Sequence, residues 1–113
     1  MQQPLYLGPV GLEEALAALA GRALAVLAGG PDFYPARVGQ PLREDILDIT
    51  RLSALRGIGR EDGMWRIGAL TTWSDILRAP LPALFDGLKL AAREVGGMQI
   101  QNAGTLGGNI CNA

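Results

Sequence analysis

The stretch NAGTLGGNICNA, residues 102–113, holds the most specific pattern in this sequence. Gly104, Gly107 and Gly108 lie close together in it, with Thr105 and Asn109 beside them. A backbone without Cβ atoms can approach a ligand closely and offer N–H groups to it. The spacing differs from a G-x-G-x-x-G fingerprint, no helical pattern follows, and no lysine follows as in a P-loop. The stretch is therefore either a ligand-binding turn or a glycine-rich bend or tail.

A second glycine turn lies in LAVLAGGPDFYP, residues 24–35. The unbroken apolar run that opens it is typical of a strand buried on both faces, and Gly29 and Gly30 follow at its end. These glycines either offer backbone amides to a ligand or serve only a tight turn. A pyrophosphate accepts several N–H bonds at once, so two converging turns could hold a dinucleotide without any arginine.

Composition removes several other classes of function. The 113 residues are 49% hydrophobic, which indicates one well-filled domain, and the net charge of −1 gives no basic footprint for nucleic acid. A single cysteine and no histidine exclude an internal disulfide and most zinc sites, and we expect no metal ligands. No apolar stretch is long enough to span a bilayer and no signal peptide is evident, which predicts a cytoplasmic protein. Any redox chemistry must come from a cofactor.

The first half of the chain predicts a helix and two strands. GLEEALAALAG, residues 11–21, places Leu12, Leu16 and Leu19 on one helical face and ends at a glycine. The apolar run before Gly29 is one strand, and EDILDIT, residues 44–50, is another. A helix followed by buried strands indicates a small α/β layer.

The second half predicts a hairpin and two helices. LRGIGREDGMWRIGAL, residues 55–70, turns at Gly63 and places Trp65 and Ile67 on one face. TTWSDILRA, residues 71–79, begins with capping hydroxyls and ends before a proline. The next helix carries one apolar stripe: Leu81, Leu84, Phe85, Leu88, Ala92 and Val95. We predict an α+β fold of two small lobes, residues 1–53 and 54–113.

Three segments together carry a family resemblance. AGGPDFYP, IGALTTWSDI and QIQNAGTLGGNICNA, in this order, resemble the FAD-binding domain of the molybdenum hydroxylases. This family includes xanthine dehydrogenase and aerobic carbon monoxide dehydrogenase. The chain is similar to the N-terminal part of their medium, flavin-carrying subunit. The resemblance implies a p-cresol methylhydroxylase-type fold, with two α+β lobes and FAD in the cleft between them.

The resemblance also implies the cofactor-binding residues. The first segment would wrap the pyrophosphate through its backbone: Val26, Leu27, Ala28, Gly29, Gly30, Pro31, Asp32 and Phe33. The second segment would meet it with Gly104, Thr105, Gly107, Gly108 and Asn109. Residues 68–72 would lead back toward the cleft. Pro31 departs from the polar residue frequent in relatives, and because proline has no N–H, its backbone cannot donate to the phosphate. No residue is expected to act as a catalytic acid or base.

By resemblance, the complete enzyme is a multi-subunit oxidoreductase. This chain would bind FAD non-covalently, while a large subunit carries the molybdenum cofactor and a small subunit carries two [2Fe–2S] clusters. Electrons would pass through FAD to NAD, oxygen or a quinone. The alternatives are a truncated, non-catalytic α+β interaction module that no longer binds flavin, and a molybdenum-free member of the same flavoprotein superfamily.

The end of the sequence gives a further expectation. Family members continue after NICNA with the rest of the second lobe, so the chain resembles a fragment cut inside its second cofactor loop. Such a fragment is expected to be inactive alone, to bind FAD weakly, and to self-associate through an exposed apolar edge.

Four other residues have structural and functional interpretations. Cys111 is expected to be a small buried hydrophobe rather than a flavin attachment point. Trp65 and Trp73 are expected to pack in the hairpin and the helix rather than stack on a cofactor. Asp32 is expected to cap its turn rather than contact a ribose.

Overall fold

The computed structural model describes residues 5–29 and 44–112 of the chain. Its strands are β1 (Tyr6–Leu7), β2 (Ala25–Leu27), β3 (Ile46–Asp48), β4 (Ile58–Glu61) and β5 (Met64–Ile67). Its helices are α1 (Leu12–Gly21), α2 (Trp73–Arg78), α3 (Asp86–Arg93), α4 (Met98–Ala103) and α5 (Leu106–Asn112). Short 3-10 turns cover Ser53–Leu55 and Ala83–Phe85. None of the helices in these ranges is long and apolar enough to cross a membrane.

A parallel sheet in the order β1-β3-β2 forms the first layer. The central strand β3 is its buried element, because Ile46 and Leu47 are fully covered. β2 was expected to be buried on both faces, and this was wrong: Val26 is 49% exposed, on the face of β2 opposite to buried Leu27. β1, of two residues, was not foreseen.

Helix α1 covers this sheet with its alanine face. Ala15 is buried against Leu47, Leu52 and Leu70, whereas the predicted apolar row Leu12, Leu16 and Leu19 is exposed. Ala18 packs against the same cluster, so alanine side chains form the buried face of α1. The sequence therefore predicted this helix correctly, but its leucine row is not the buried face.

The predicted hairpin is confirmed. β4 and β5 pair antiparallel, and the turn residues Asp62 and Gly63 both have positive φ, 51° and 78°. Two positive φ values are the signature of the tight turn that matches the twist of the strands. Trp65 is half-buried and meets the ring of Phe85 edge-on, with the centroids 5.6 Å apart.

A second apolar cluster forms between α2 and α3 around Trp73, Ile76 and Ala92. The predicted apolar stripe is only partly correct, because Leu84 is 74% exposed. The helix was expected to be continuous, but a 3-10 turn precedes α3, and the changed rotation per residue turns Leu84 to solvent. The division into lobes at residues 53 and 54 stays a prediction.

Candidate functional site

The first glycine segment begins at the carboxyl end of the parallel sheet. β2 ends at Leu27, whose carbonyl accepts a hydrogen bond from Ile49 N–H at 3.0 Å, and Gly29 then turns the chain with φ of 90°. Asp48 ends β3 beside Leu27. Ligands of open α/β sheets bind outside the carboxyl ends of the strands, so Ala28 and Gly29 lie where a ligand would approach.

The second glycine segment is a helix, not an irregular turn. α5 begins at Leu106, and the Thr105 hydroxyl accepts a hydrogen bond from Gly108 N–H at 3.0 Å. Asn109 N–H donates to the Thr105 carbonyl at 3.0 Å. The expectation that no helix follows these glycines was therefore wrong. A threonine cap and packing of the first turn outweigh the low helix propensity of two glycines.

The amides of this helix start are already used within the protein. Leu106 N–H donates to the Thr71 carbonyl at 3.0 Å, and Gly107 N–H donates to the Ala69 carbonyl at 2.9 Å. Together with the bonds made by Gly108 and Asn109, four successive amides have protein acceptors. In an anion-binding helix start, by contrast, the first N–H groups have no protein acceptor and can donate to a phosphate. The amides of residues 106–109 are therefore not free donors for a ligand.

The two glycine segments meet, although they are 77 residues apart in sequence. The Thr105 hydroxyl lies 3.5 Å from the Ala28 carbonyl oxygen, to which it donates. A Cβ atom added at Gly108 would lie 3.6 Å from the same oxygen. The fold thus brings Ala28, Thr105 and Gly108 together at the end of β2, as expected if both segments form one site.

Residues 68–72 form the seat of the second segment. A Cβ at Gly107 would lie 2.8 Å from the Ala69 Cβ and 2.9 Å from its carbonyl oxygen, so α5 rests directly on Ala69. Thr72 and Thr105 face each other in an antiparallel bridge. Thr71 is fully buried, and its hydroxyl bonds both the N–H and the carbonyl of Gly57, which ties the seat to the start of β4.

Asp75 fixes the first turn of helix α2, which directly follows residues 68–72. Thr72 and Asp75 form a capping box, in which each side chain accepts a hydrogen bond from the other's backbone N–H. Hydrogen bonds from Arg56 lower the pKa of Asp75 to about 2, against the smaller opposing effect of burial and with help from Thr72. Asp75 is therefore a carboxylate at all ordinary pH values. Sequence analysis identified the cap but not the arginine, which is 19 residues away in sequence.

Other predicted residues have mixed outcomes. Gly30, Pro31, Asp32 and Phe33 lie outside the described residues, and so do the expectations about Pro31 and the Asp32 cap. Cys111 is exposed, so the expectation that it is buried was wrong; α5 turns it to solvent. The packing roles expected for the two tryptophans are confirmed. Among residues 5–29 and 44–112, no cluster of three or more acidic or cysteine side chains could hold a metal ion.

Comparison with known proteins gives one consistent result. The family described as the FAD binding domain in molybdopterin dehydrogenase matches residues 1–113. The carbon monoxide dehydrogenase medium chain of Hydrogenophaga pseudoflava is 37% identical over 117 residues, covering 95% of this chain and 39% of that protein. The glyceraldehyde dehydrogenase medium chain of Sulfolobus acidocaldarius is 37% identical over 115 residues, covering 96% of this chain and 40% of that protein.

Solved structures agree. Carbon monoxide dehydrogenase from Hydrogenophaga pseudoflava matches with a TM-score of 0.79 and 33% identity over 96% of this chain and 39% of its own. Quinoline 2-oxidoreductase from Pseudomonas putida 86 matches with a TM-score of 0.82 and 25% identity over 95% and 39%. The predicted fold class is confirmed. The chain spans about two fifths of the length of these relatives. It belongs to the family of FAD-binding domains of molybdopterin dehydrogenases.

Proposed function

We propose that this chain holds FAD, without a covalent bond, as the flavin-carrying part of a molybdenum hydroxylase-type oxidoreductase. The observation that carries the proposal is the meeting of the two glycine segments. The Ala28 carbonyl, the Thr105 hydroxyl and Gly108 come together at the carboxyl end of the sheet. The match of the FAD-binding family over residues 1–113 supports the choice of cofactor.

The described residues fit this cofactor in a specific way. The turn after β2 brings backbone to the sheet end, and Gly29, with positive φ, adopts a conformation that other residues rarely adopt. We assign the hydrogen bonds to the pyrophosphate chiefly to residues 26–33, and the shape of the opposite wall to Gly104, Thr105, Gly107, Gly108 and Asn109. Bound FAD supplies the electron-transfer chemistry that these side chains lack. The work of the chain is to bind the flavin, orient it and exclude water around it.

The proposal extends to partners. The relatives named above as medium chains are by name components of larger enzymes. By analogy, a large subunit would carry the molybdenum cofactor and a small subunit two [2Fe–2S] clusters, with NAD, oxygen or a quinone as the electron acceptor. A cytoplasmic location belongs to the same proposal. Affinity purification of the tagged protein from its own cells tests it: recovery without molybdenum and iron would contradict the partner assignment.

Self-association is a separate part of the proposal. The exposed row Leu12, Leu16 and Leu19 on α1 offers an apolar surface to a second copy of the chain. Sedimentation of the protein at several concentrations tests it, and a constant monomer mass would contradict it.

The visible spectrum of the purified full protein tests the central proposal. We expect flavin absorbance at roughly 450 nm, release of all colour by acid precipitation, and FAD as the released flavin. A coloured pellet would show a covalent bond, and a colourless protein that FAD does not reconstitute would favour an interaction module.

A matched pair of variants tests whether the flavin binds at the first glycine segment. Gly29→Ala and Gly63→Ala introduce the same kind of strain, because both glycines have positive φ, 90° and 78°. Only Gly29 lies at the proposed site, whereas Gly63 lies at the tip of the hairpin. We expect Gly29→Ala to weaken FAD binding by about tenfold, as a loss of about 1.4 kcal/mol implies, and Gly63→Ala to leave it unchanged.

A further inference from the structure

We propose that Thr105 is a positioning residue that joins the end of β2 to α5, and that position 108 is glycine to leave room for the Thr105 hydroxyl. Sequence analysis assigned both residues to direct contact with the cofactor. The consequence for FAD binding rests on the proposed function, whereas the structural part of the inference does not.

The Thr105 hydroxyl makes two hydrogen bonds to the protein backbone, one as donor and one as acceptor. It is nearly buried, with the residue 4% exposed, and it accepts from Gly108 N–H at 3.0 Å while donating toward the Ala28 carbonyl at 3.5 Å. A hydroxyl has one proton to donate. A phosphate, which only accepts, would have to take that proton away from Ala28. One side chain thus links the first turn of α5 to the strand end.

The backbone on either side of Thr105 is held as well. Trp73 N–H donates to the Gly104 carbonyl at 3.2 Å, and Leu106 N–H donates to the Thr71 carbonyl at 3.0 Å. These two bonds flank the antiparallel bridge between Thr72 and Thr105. Because the backbone is fixed on both sides, the hydroxyl is directed to one place.

The absence of a side chain at position 108 has a structural cause. A Cβ there would lie 2.9 Å from the Thr105 hydroxyl oxygen, closer than real Cβ atoms approach other atoms, and 3.6 Å from the Ala28 carbonyl, an ordinary contact. The hydroxyl would therefore have to shift, and the shift would strain both of its hydrogen bonds. The clash is with Thr105 and needs no ligand to explain the glycine.

A four-protein cycle tests this inference in the full protein: wild type, Thr105→Ala, Gly108→Ala and the double variant. The thermal midpoint without added flavin and the dissociation constant for FAD are measured for each. We expect each single variant to lower the midpoint by about 5 °C, as loss of a helix cap does, and to weaken FAD binding by about tenfold. We expect the double variant to be no worse than Thr105→Ala, because the atom that clashes with the new Cβ is gone.

Additive losses would overturn the inference. If Gly108→Ala weakens FAD binding as much in the Thr105→Ala background as in wild type, position 108 is glycine to admit the cofactor. Thr105→Ser provides the rescue control, because serine keeps the hydroxyl and should recover most of the lost midpoint. A thermal midpoint of Thr105→Ser as low as that of Thr105→Ala would also contradict the proposed role of the hydroxyl. The midpoint cycle gives a result even if the wild type binds no FAD, so the two proposals fail separately.

Discussion

Arg56 and Asp75 form a two-pronged ion pair that joins the start of β4 to the first turn of α2. Arg56 Nε lies 2.8 Å from Asp75 Oδ2, and a terminal guanidinium nitrogen lies 2.9 Å from Oδ1. The same carboxylate closes the capping box with Thr72, which faces Thr105 across the bridge. The ion pair therefore stabilises the start of α2, next to residues 68–72 on which the second glycine segment packs.

Asp75→Asn is expected to destabilise the protein by about 1 kcal/mol at neutral pH, a value that allows for the solvent screening of half-exposed Arg56. The folded-state pKa of Asp75, about 2, lies below the ordinary value of 3.8. The carboxylate thus contributes fully above the ordinary pKa, and its contribution is lost as the pH falls through the folded-state pKa. The difference between wild type and variant in urea unfolding should shrink over that range.

Arg78→Ala serves as the control for this prediction. Arg78 also contacts Asp75, at 3.1 Å, but its side chain is 70% exposed, so its loss should change stability little. A difference for Asp75→Asn that stays constant down to the lowest pH would contradict the assigned role of the ion pair.

Gly107→Ala is expected to destabilise the fold by about 1–3 kcal/mol, because the new methyl group meets both the Cβ and the carbonyl oxygen of Ala69. Gly87→Ala is the matched control. Gly87 lies in α3, and a Cβ there would meet nothing within 4 Å. The control should be neutral or stabilising by up to about 1 kcal/mol, because alanine favours helices over glycine. Chemical denaturation compares the two, and equal stabilities would mean that α5 does not rest on Ala69.

Thr71→Val is expected to cost about 1–3 kcal/mol in the free energy of unfolding. Valine keeps the shape but removes the buried hydroxyl that bonds the Gly57 N–H at 3.0 Å and its carbonyl at 3.2 Å. Thr71→Ser should retain most of the stability, because it keeps both bonds. A serine variant as unstable as the valine variant would assign the effect to methyl packing instead.

The sequence predicted where helices and strands lie better than it predicted which of their faces are buried. Local signals were sufficient for the hairpin turn at Asp62 and Gly63 and for the hydroxyl cap of α2, which the structure assigns to Thr72. The exposed face of α1 could not be predicted, because alanine on the sheet and leucine in solvent reverse the usual apolar preference. Which side of a helix is buried depends on the partner surface, which a single sequence does not reveal.

The candidate site was predicted from its glycines, whose contacts with a cofactor stay a prediction, and the structure adds protein contacts that the sequence did not indicate. The family pattern indicated the two segments correctly as neighbours. It did not reveal that Gly107 packs on Ala69 or that Gly108 accommodates the Thr105 hydroxyl, because both contacts join residues distant in sequence or depend on the helix start. The glycine-rich composition suggested an irregular turn, whereas the N–H groups of Leu106 and Gly107 donate to the Thr71 and Ala69 carbonyls and hold the start of a helix.

Amide hydrogen exchange of the full protein, with and without FAD, tests the central claim most directly. If the flavin binds against both glycine segments, adding FAD should slow exchange both in the peptide that contains Ala28 and Gly29 and in the peptide that contains residues 105–109. The hairpin turn at Asp62 and Gly63 should remain unchanged as an internal reference. FAD binding that leaves either glycine segment unchanged would contradict the account.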